Sequence, residues 1–140
     1  MPVWIIYAII WAVFAGLTSV LAKSGLKGIS SDLGLGIRTA FVFVLISLNV
    51  FLIGGFKNLE SLSRNNFLFL GLSGLTTSLS WIFYYTAMKE GKVSIVASID
   101  KGSILITILL SFLILREPLT LNILTGASFI LIGMLILVWK

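Results

Sequence analysis

The sequence contains no cysteine and no histidine among its 140 residues. Without cysteine there can be no disulfide, thiol nucleophile or thiolate metal site. Without histidine the commonest metal ligand and the usual general base are missing. Phosphate-binding motifs of the GxxxxGK[ST] or GxGxxG type are also absent. We therefore expect no enzyme, no metal or cofactor site and no binding of nucleic acid.

Charged residues are scarce as well, at 11% of the sequence against 59% hydrophobic residues. The apolar residues form five segments, each close to the roughly 20 residues that cross a bilayer core of about 30 Å. Most lack the polar stripe that runs along soluble amphipathic helices. The sequence predicts an all-α, multi-pass integral protein of the cell membrane, a five-helix bundle in contact with lipid, with residues 1–140 as one domain. The predicted helices are Val3–Ala22, Leu33–Ile53, Phe67–Met88, Val93–Leu115 and Leu121–Trp139.

Five crossings would place the two termini on opposite sides of the membrane. On one side the basic residues are Lys23, Lys27, Lys89, Lys92 and Lys140, and on the other Lys57, Arg64 and Arg116. Basic loops favour the cytoplasm, so the excess predicts an outside N-terminus. Because the excess is small, insertion of the chain in both orientations stays open.

Three charged residues fall inside the predicted helices, namely Arg38, Asp100 and Lys101. Charges within a membrane are costly, which makes them candidates for a functional site. At 1.5 Å per residue we expect all three to lie roughly 7–12 Å below one membrane face. Asp100 and Lys101 should point about 100° apart, so Arg38 is the better predicted partner for Asp100. Such a pair either locks the second helix to the fourth or lines a wet cavity.

Polar and aromatic residues recur at helical spacing on the third and fourth helices. Such a lining suits amphipathic small molecules, since aromatic faces bind apolar and cationic groups. The alternative for each hydroxyl is a hydrogen bond to its own helix or a neighbouring one. The candidates for a substrate pathway are Arg38, Thr77, Trp81, Tyr84, Tyr85, Asp100, Lys101, Ser103 and Thr107.

The fifth helix differs from the others because it carries no charge and has Gly126 and Gly133 seven residues apart. Small residues let helix backbones approach closely in lipid. We expect these two glycines to serve helix packing or a dimer interface.

The stretch from Ala97-Ser98 to Glu117-Pro118-Leu119-Thr120 resembles the signature of the EamA-type domain in the drug/metabolite transporter superfamily. Glu117, Leu119 and Thr120 match that signature, whereas Arg116 stands where the family usually has glycine. The turn Ala87-Met88-Lys89-Glu90-Gly91 is similar to the family's turn between the third and fourth helices. Proline often breaks the family's fourth helix. Here Asp100-Lys101-Gly102 occupies that stretch, and we expect at most some looseness at Gly102.

The resemblance implies a secondary transporter that exports or exchanges a small metabolite or drug-like molecule. Larger members hold two such domains as an inverted repeat. This chain would supply one half of such a repeat, and it would work as a homodimer or together with a paralogous half. Small multidrug relatives couple protons through an acid in the first helix, which this chain lacks. The positive layer of Arg38, Lys101 and Asp100 instead favours an anionic or zwitterionic substrate. Two alternatives stay open: a non-transporting subunit that stabilises or modulates a partner, and half of a lipid-linked-sugar flippase.

Overall fold

The computed structural model describes residues 2–139, excluding the side chains of residues 58 and 60. These residues form helices and connections and contain no β-strand. Five stretches are long and apolar enough to cross a membrane, which confirms the predicted fold class. The helices are α1 (Val3–Gly25), α2 (Ser31–Leu52), a 3₁₀ helix (Gly55–Ser61), α3 (Arg64–Glu90), α4 (Val93–Asp100), α5 (Ser103–Leu110), a π-helical turn (Ser111–Leu115) and α6 (Leu121–Val138).

Local capping explains where several helices begin. The Ser30 hydroxyl accepts a hydrogen bond from the backbone N–H of Leu33, so α2 starts at Ser31 rather than Leu33. Ser63 does the same for the N–H of Asn66 at the start of α3. Side-chain oxygens at these positions satisfy N–H groups that have no partner within the helix. Polar flanking residues therefore extend the helices past the apolar runs.

The fourth membrane span has the predicted bounds, Val93–Leu115, but its hydrogen bonding is not that of one regular α-helix throughout. α4 ends at Asp100, and α5 begins at Ser103. At Lys101 and Gly102 the backbone N–H groups bond to carbonyls three residues earlier, at 3.1 and 2.8 Å. This is the tighter hydrogen bonding of a 3₁₀ turn, which inside a longer helix often marks a hinge.

The chain divides into two compact units. One consists of Met1–Leu21 and Gly91–Lys140, and here α4 packs on α6. The other is Ala22–Glu90, in which α2 packs on α3. Few described side chains are fully covered, and most large apolar residues are exposed. An apolar exterior is what a bilayer requires, because hydrocarbon rather than water surrounds the helices.

Candidate functional site

Arg38 lies against two aromatic rings in the Ala22–Glu90 unit. Its guanidinium carbon is 4.3 Å from the ring centroid of Trp81 and 5.9 Å from that of Tyr85. Trp81 and Tyr85 lie four residues apart on α3 and so share a face of that helix. A cation over an aromatic face gains about 0.5–2 kcal/mol, more when water is excluded. The rings thus supply the stabilisation that keeps this charge inside the membrane span.

The guanidinium of Arg38 is incompletely hydrogen-bonded. Its Nη1 atom is buried and has no hydrogen-bond partner within the described part of the chain. Around it the packing is close: Tyr85 is 4% exposed and Met88 is fully buried. The ring of Tyr84 lies 6.3 Å from that of Tyr85. Arg38 therefore combines an aromatic platform with an N–H edge that lacks an acceptor.

Lysines join the ends of the helices that surround this group. The Nζ atom of Lys23 donates hydrogen bonds to the carbonyl oxygens of Met88 and Lys89, at 2.7 and 2.8 Å. In turn Lys89 donates to the carbonyl oxygen of Ile29 at 2.8 Å. A cation at the C-terminal carbonyls of a helix satisfies free acceptors and the helix dipole together. These bonds hold the end of α3 against the segment that joins α1 to α2.

Asp100 and Lys101 form the second charged group, in the unit that contains α4, α5 and α6. The Lys101 Nζ atom is 3.3 Å from a carboxylate oxygen of Asp100 and 5.7 Å from the ring centroid of Trp11. The expectation that these neighbours do not pair was therefore wrong. The regular helix ends at Asp100, and the long side chain of Lys101 folds back from the following turn. The pairing of Arg38 with Asp100 stays a prediction.

Gly102 makes the turn next to this pair possible through close packing. A Cβ atom at this position would lie 2.9 Å from the Met134 sulfur and 3.0 Å from the Ile99 carbonyl oxygen. The backbone of Gly102 lies in the right-handed helical region, with φ −61°. Glycine therefore suits this position because a Cβ atom would be crowded, and not because the backbone conformation is unusual. The looseness expected at Gly102 is a 3₁₀ turn between α4 and α5, and this turn is packed against Met134 of α6.

Two of the predicted pathway hydroxyls bond to their own helices. Thr77 donates to the carbonyl oxygen of Ser73 at 2.8 Å, and Thr107 donates to that of Ser103 at 3.1 Å. Such back-bonding satisfies a hydroxyl within an apolar environment. The side chains of Thr77, Ser103 and Thr107 are all exposed. Their oxygens therefore give polarity to an uncovered surface without needing a partner on another helix.

Comparison with known proteins now assigns the family. The sequence profile of the EamA-like transporter family matches residues 2–139. An uncharacterized transporter encoded in the cobO 3' region of a Sinorhizobium species is 38% identical over 134 residues, covering 96% of this chain and 95% of that protein. No solved structure matches.

The chain belongs to the EamA-like transporter family. The family match and the five spans make it a multi-pass membrane protein of the drug/metabolite transporter type. The relative matches over almost its whole length, so it too is about one five-helix unit long.

The EamA resemblance also explains the end of the fourth span. Arg116, at the position where the EamA signature has glycine, adopts a left-handed conformation with φ 56° and ψ 33°. The backbone N–H of Arg116 and that of Glu117 both bond to the Ser111 carbonyl. Left-handed residues commonly end helices, and glycine adopts that conformation most easily. Arg116 thus adopts the conformation that glycine, the usual residue of the EamA signature at this position, adopts most easily.

Sequence reasoning did not place Trp11, Lys23 or Met134 at these groups. Lys23 was considered only as a charge that sets the topology. Each of the three makes its contact with residues at least 60 positions away or across a helix pair. Tyr7, Trp11 and Thr18 recur at helical spacing on α1, and this spacing could have indicated a polar and aromatic face there. For Lys23 and Met134 the sequence carried no separate signal.

Proposed function

We propose that this chain is one half of a secondary transporter of the cell membrane. It exports or exchanges a small metabolite or drug-like molecule and works with a second copy of itself, or a paralogous half, inserted in the opposite orientation. The family assignment supports transport rather than catalysis.

The observation that carries this proposal is the exposed ion pair of Asp100 and Lys101. The two side chains keep 46% and 57% of their exposure, although Asp100 is seven residues, or about 10 Å, into its span. Hydrocarbon cannot solvate such charges, and each costs several kcal/mol at the centre of a bilayer. We infer that this surface faces a water-filled pathway. Helices interrupted beside such charges are typical of substrate sites in transporters, and the fourth span tightens into a 3₁₀ turn at Lys101 and Gly102.

The requirement for a second half follows from the helix number and the uncovered surfaces. Five spans make one member of an inverted repeat, and the small bias of basic loops is compatible with insertion in both orientations. Gly126 and Gly133 of α6 are exposed, and a Cβ atom at either would meet nothing within 4 Å. These glycines are our candidates for close contact between the copies.

An anionic or zwitterionic substrate fits the charges best. α1 contains no acidic residue, so it offers no carboxylate for exchange of cations against protons. Away from the helix ends, the charged residues of the spans are Arg38, Asp100 and Lys101, which together carry one net positive charge.

Replacement of Asp100 by Asn tests the proposal, because it removes the ion pair while keeping the shape of the side chain. We expect cells that express the native chain to release at least one small anionic or zwitterionic metabolite, and cells with Asp100→Asn to lose that release. Mass spectrometry of the medium measures the release, and immunoblotting of membranes checks equal insertion. Asp32→Asn is the matched control, since Asp32 lies in the first turn of α2.

An unchanged metabolite profile in Asp100→Asn, at equal insertion, would contradict a role in transport. Loss of the variant from the membrane, or from a larger complex, would favour the non-transporting subunit instead.

A further inference from the structure

Arg38 is placed to hold a ligand that the chain itself does not supply. Its guanidinium carbon lies over the rings of Trp81 and Tyr85, at 4.3 and 5.9 Å from their centroids. A ring face offers no oxygen or nitrogen acceptor, and the N–H donors of a guanidinium lie in the plane of the group. The aromatic contacts therefore leave the Nη1 atom of Arg38 without a hydrogen-bond partner.

An unpaired, buried N–H of a charged group costs more free energy than that of a neutral group. The acceptor that best offsets this cost is an oxyanion, because its bonds to guanidinium are charge-assisted and can be bidentate. Within the Ala22–Glu90 unit the acidic residues of α2 and α3 are Asp32 and Glu90, both at helix ends. The spans of this unit thus bring no carboxylate to Arg38.

The charge of the ligand follows from the cations near Arg38. Lys23 and Lys89, at the nearby helix ends, already donate to backbone carbonyl oxygens. Arg38 is the basic residue of α2, and its Nη1 atom has no hydrogen-bond partner within the described residues. One guanidinium neutralises one negative charge, and a second would stay uncompensated in a medium of low dielectric constant.

We propose that Arg38, on its platform of Trp81 and Tyr85, binds a monovalent oxyanion in the plane of its guanidinium. Resting on the proposed function, this ligand is the carboxylate of the transported solute. The same chemistry is offered by the phosphodiester of a lipid headgroup, so the test has to separate the two sources.

The test measures thermal unfolding of the full chain in alkyl maltoside micelles without phosphate. A ligand that binds the folded state raises the unfolding midpoint in a saturable way. Sodium butyrate is the carboxylate probe, and sodium chloride at equal ionic strength is its control. In a second arm phosphatidylglycerol is added to the micelles, and in a third inorganic phosphate replaces butyrate.

We expect butyrate to raise the midpoint and Arg38→Gln to abolish the rise. Arg38→Lys, which keeps the charge but loses the planar fork, should weaken binding by about tenfold, the loss of one charge-assisted hydrogen bond. This second variant keeps the test valid if Arg38→Gln does not fold. Lys57→Gln, on the exposed 3₁₀ helix, should bind as the native chain does.

A rise with phosphatidylglycerol alone would keep the oxyanion site but assign it to lipid. Equal responses of the native chain and both Arg38 variants, or no saturable rise with butyrate or lipid, would overturn the proposal. Binding of butyrate at Arg38 without metabolite release would contradict the proposed transport but support the oxyanion site. Release that survives Arg38→Gln, with no binding, would contradict the site and leave transport intact.

Discussion

Arg116 ends the fourth membrane span at a backbone angle that disfavours its own side chain. It is the one described residue other than glycine with a positive φ, at 56°. The left-handed conformation costs residues with a Cβ atom about 1–2 kcal/mol relative to their normal region. We expect Arg116→Gly to raise the free energy of unfolding by about 1 kcal/mol. Titration with a denaturing detergent, followed by tryptophan fluorescence, measures the change.

Arg116→Ala is the matched control because it removes the same charge and keeps the Cβ atom. If strain is the cause, Ala brings no stabilisation. Equal stabilisation by both variants would attribute the effect to the guanidinium instead.

For single residues, the amino-acid sequence predicted which charged positions matter but not which residues they contact. The cost of charge in hydrocarbon singles out Arg38, Asp100 and Lys101 from the amino-acid sequence alone. Their neighbours could not be predicted in the same way. Lys101 pairs with Asp100 because the helix ends between them, and Arg38 meets Trp81 through the packing of two helices. Residue spacing along one helix predicts neither the Asp100–Lys101 pair nor the contact of Arg38 with Trp81.

At the scale of elements, Lys23 ties α1 to the end of α3. Its two hydrogen bonds to the carbonyl oxygens of Met88 and Lys89 are charge-assisted, and such bonds contribute about 1.5–3 kcal/mol each. We expect Lys23→Met, which keeps an unbranched chain, to lower the free energy of unfolding by about 3 kcal/mol or more. The same detergent titration measures this loss.

Lys27→Met is the control for that variant, since Lys27 is exposed four residues further on. It makes no hydrogen bond in the described part of the chain, so its stability should stay near that of the native protein. A Lys27 variant as unstable as Lys23→Met would contradict the role of the two carbonyl contacts.

The elements themselves were largely predictable, because a bilayer demands long apolar helices and the sequence supplies five. The 3₁₀ turn after Asp100 was not predicted, since the apolar run continues through Ser103–Leu110. Met134 of α6 packs close to Gly102, where a Cβ atom would lie 2.9 Å from the Met134 sulfur, and spacing along the chain does not predict that contact. A hydrophobic pattern predicts which segments lie in the membrane, but it does not predict which helices pack against one another.

For the whole molecule, the account requires two five-helix halves in opposite orientation. The family match extends over residues 2–139, and the exposed ion pair of Asp100 and Lys101 needs an aqueous or protein surface beside it. A second copy inserted the other way would complete an inverted repeat and bring its own charged groups to the same pathway. The absence of cysteine in the chain allows direct labelling of each loop.

Labelling of introduced cysteines from outside the cell tests most directly whether the chain inserts in both orientations. Lys57→Cys and Lys27→Cys each introduce one exposed thiol, on opposite sides of the predicted topology. A membrane-impermeant maleimide is added to intact cells and then to permeabilised cells. The account predicts that each variant labels in part on intact cells and fully after permeabilisation. Complete labelling of one variant and none of the other on intact cells would show one fixed orientation and contradict the antiparallel pair of identical chains.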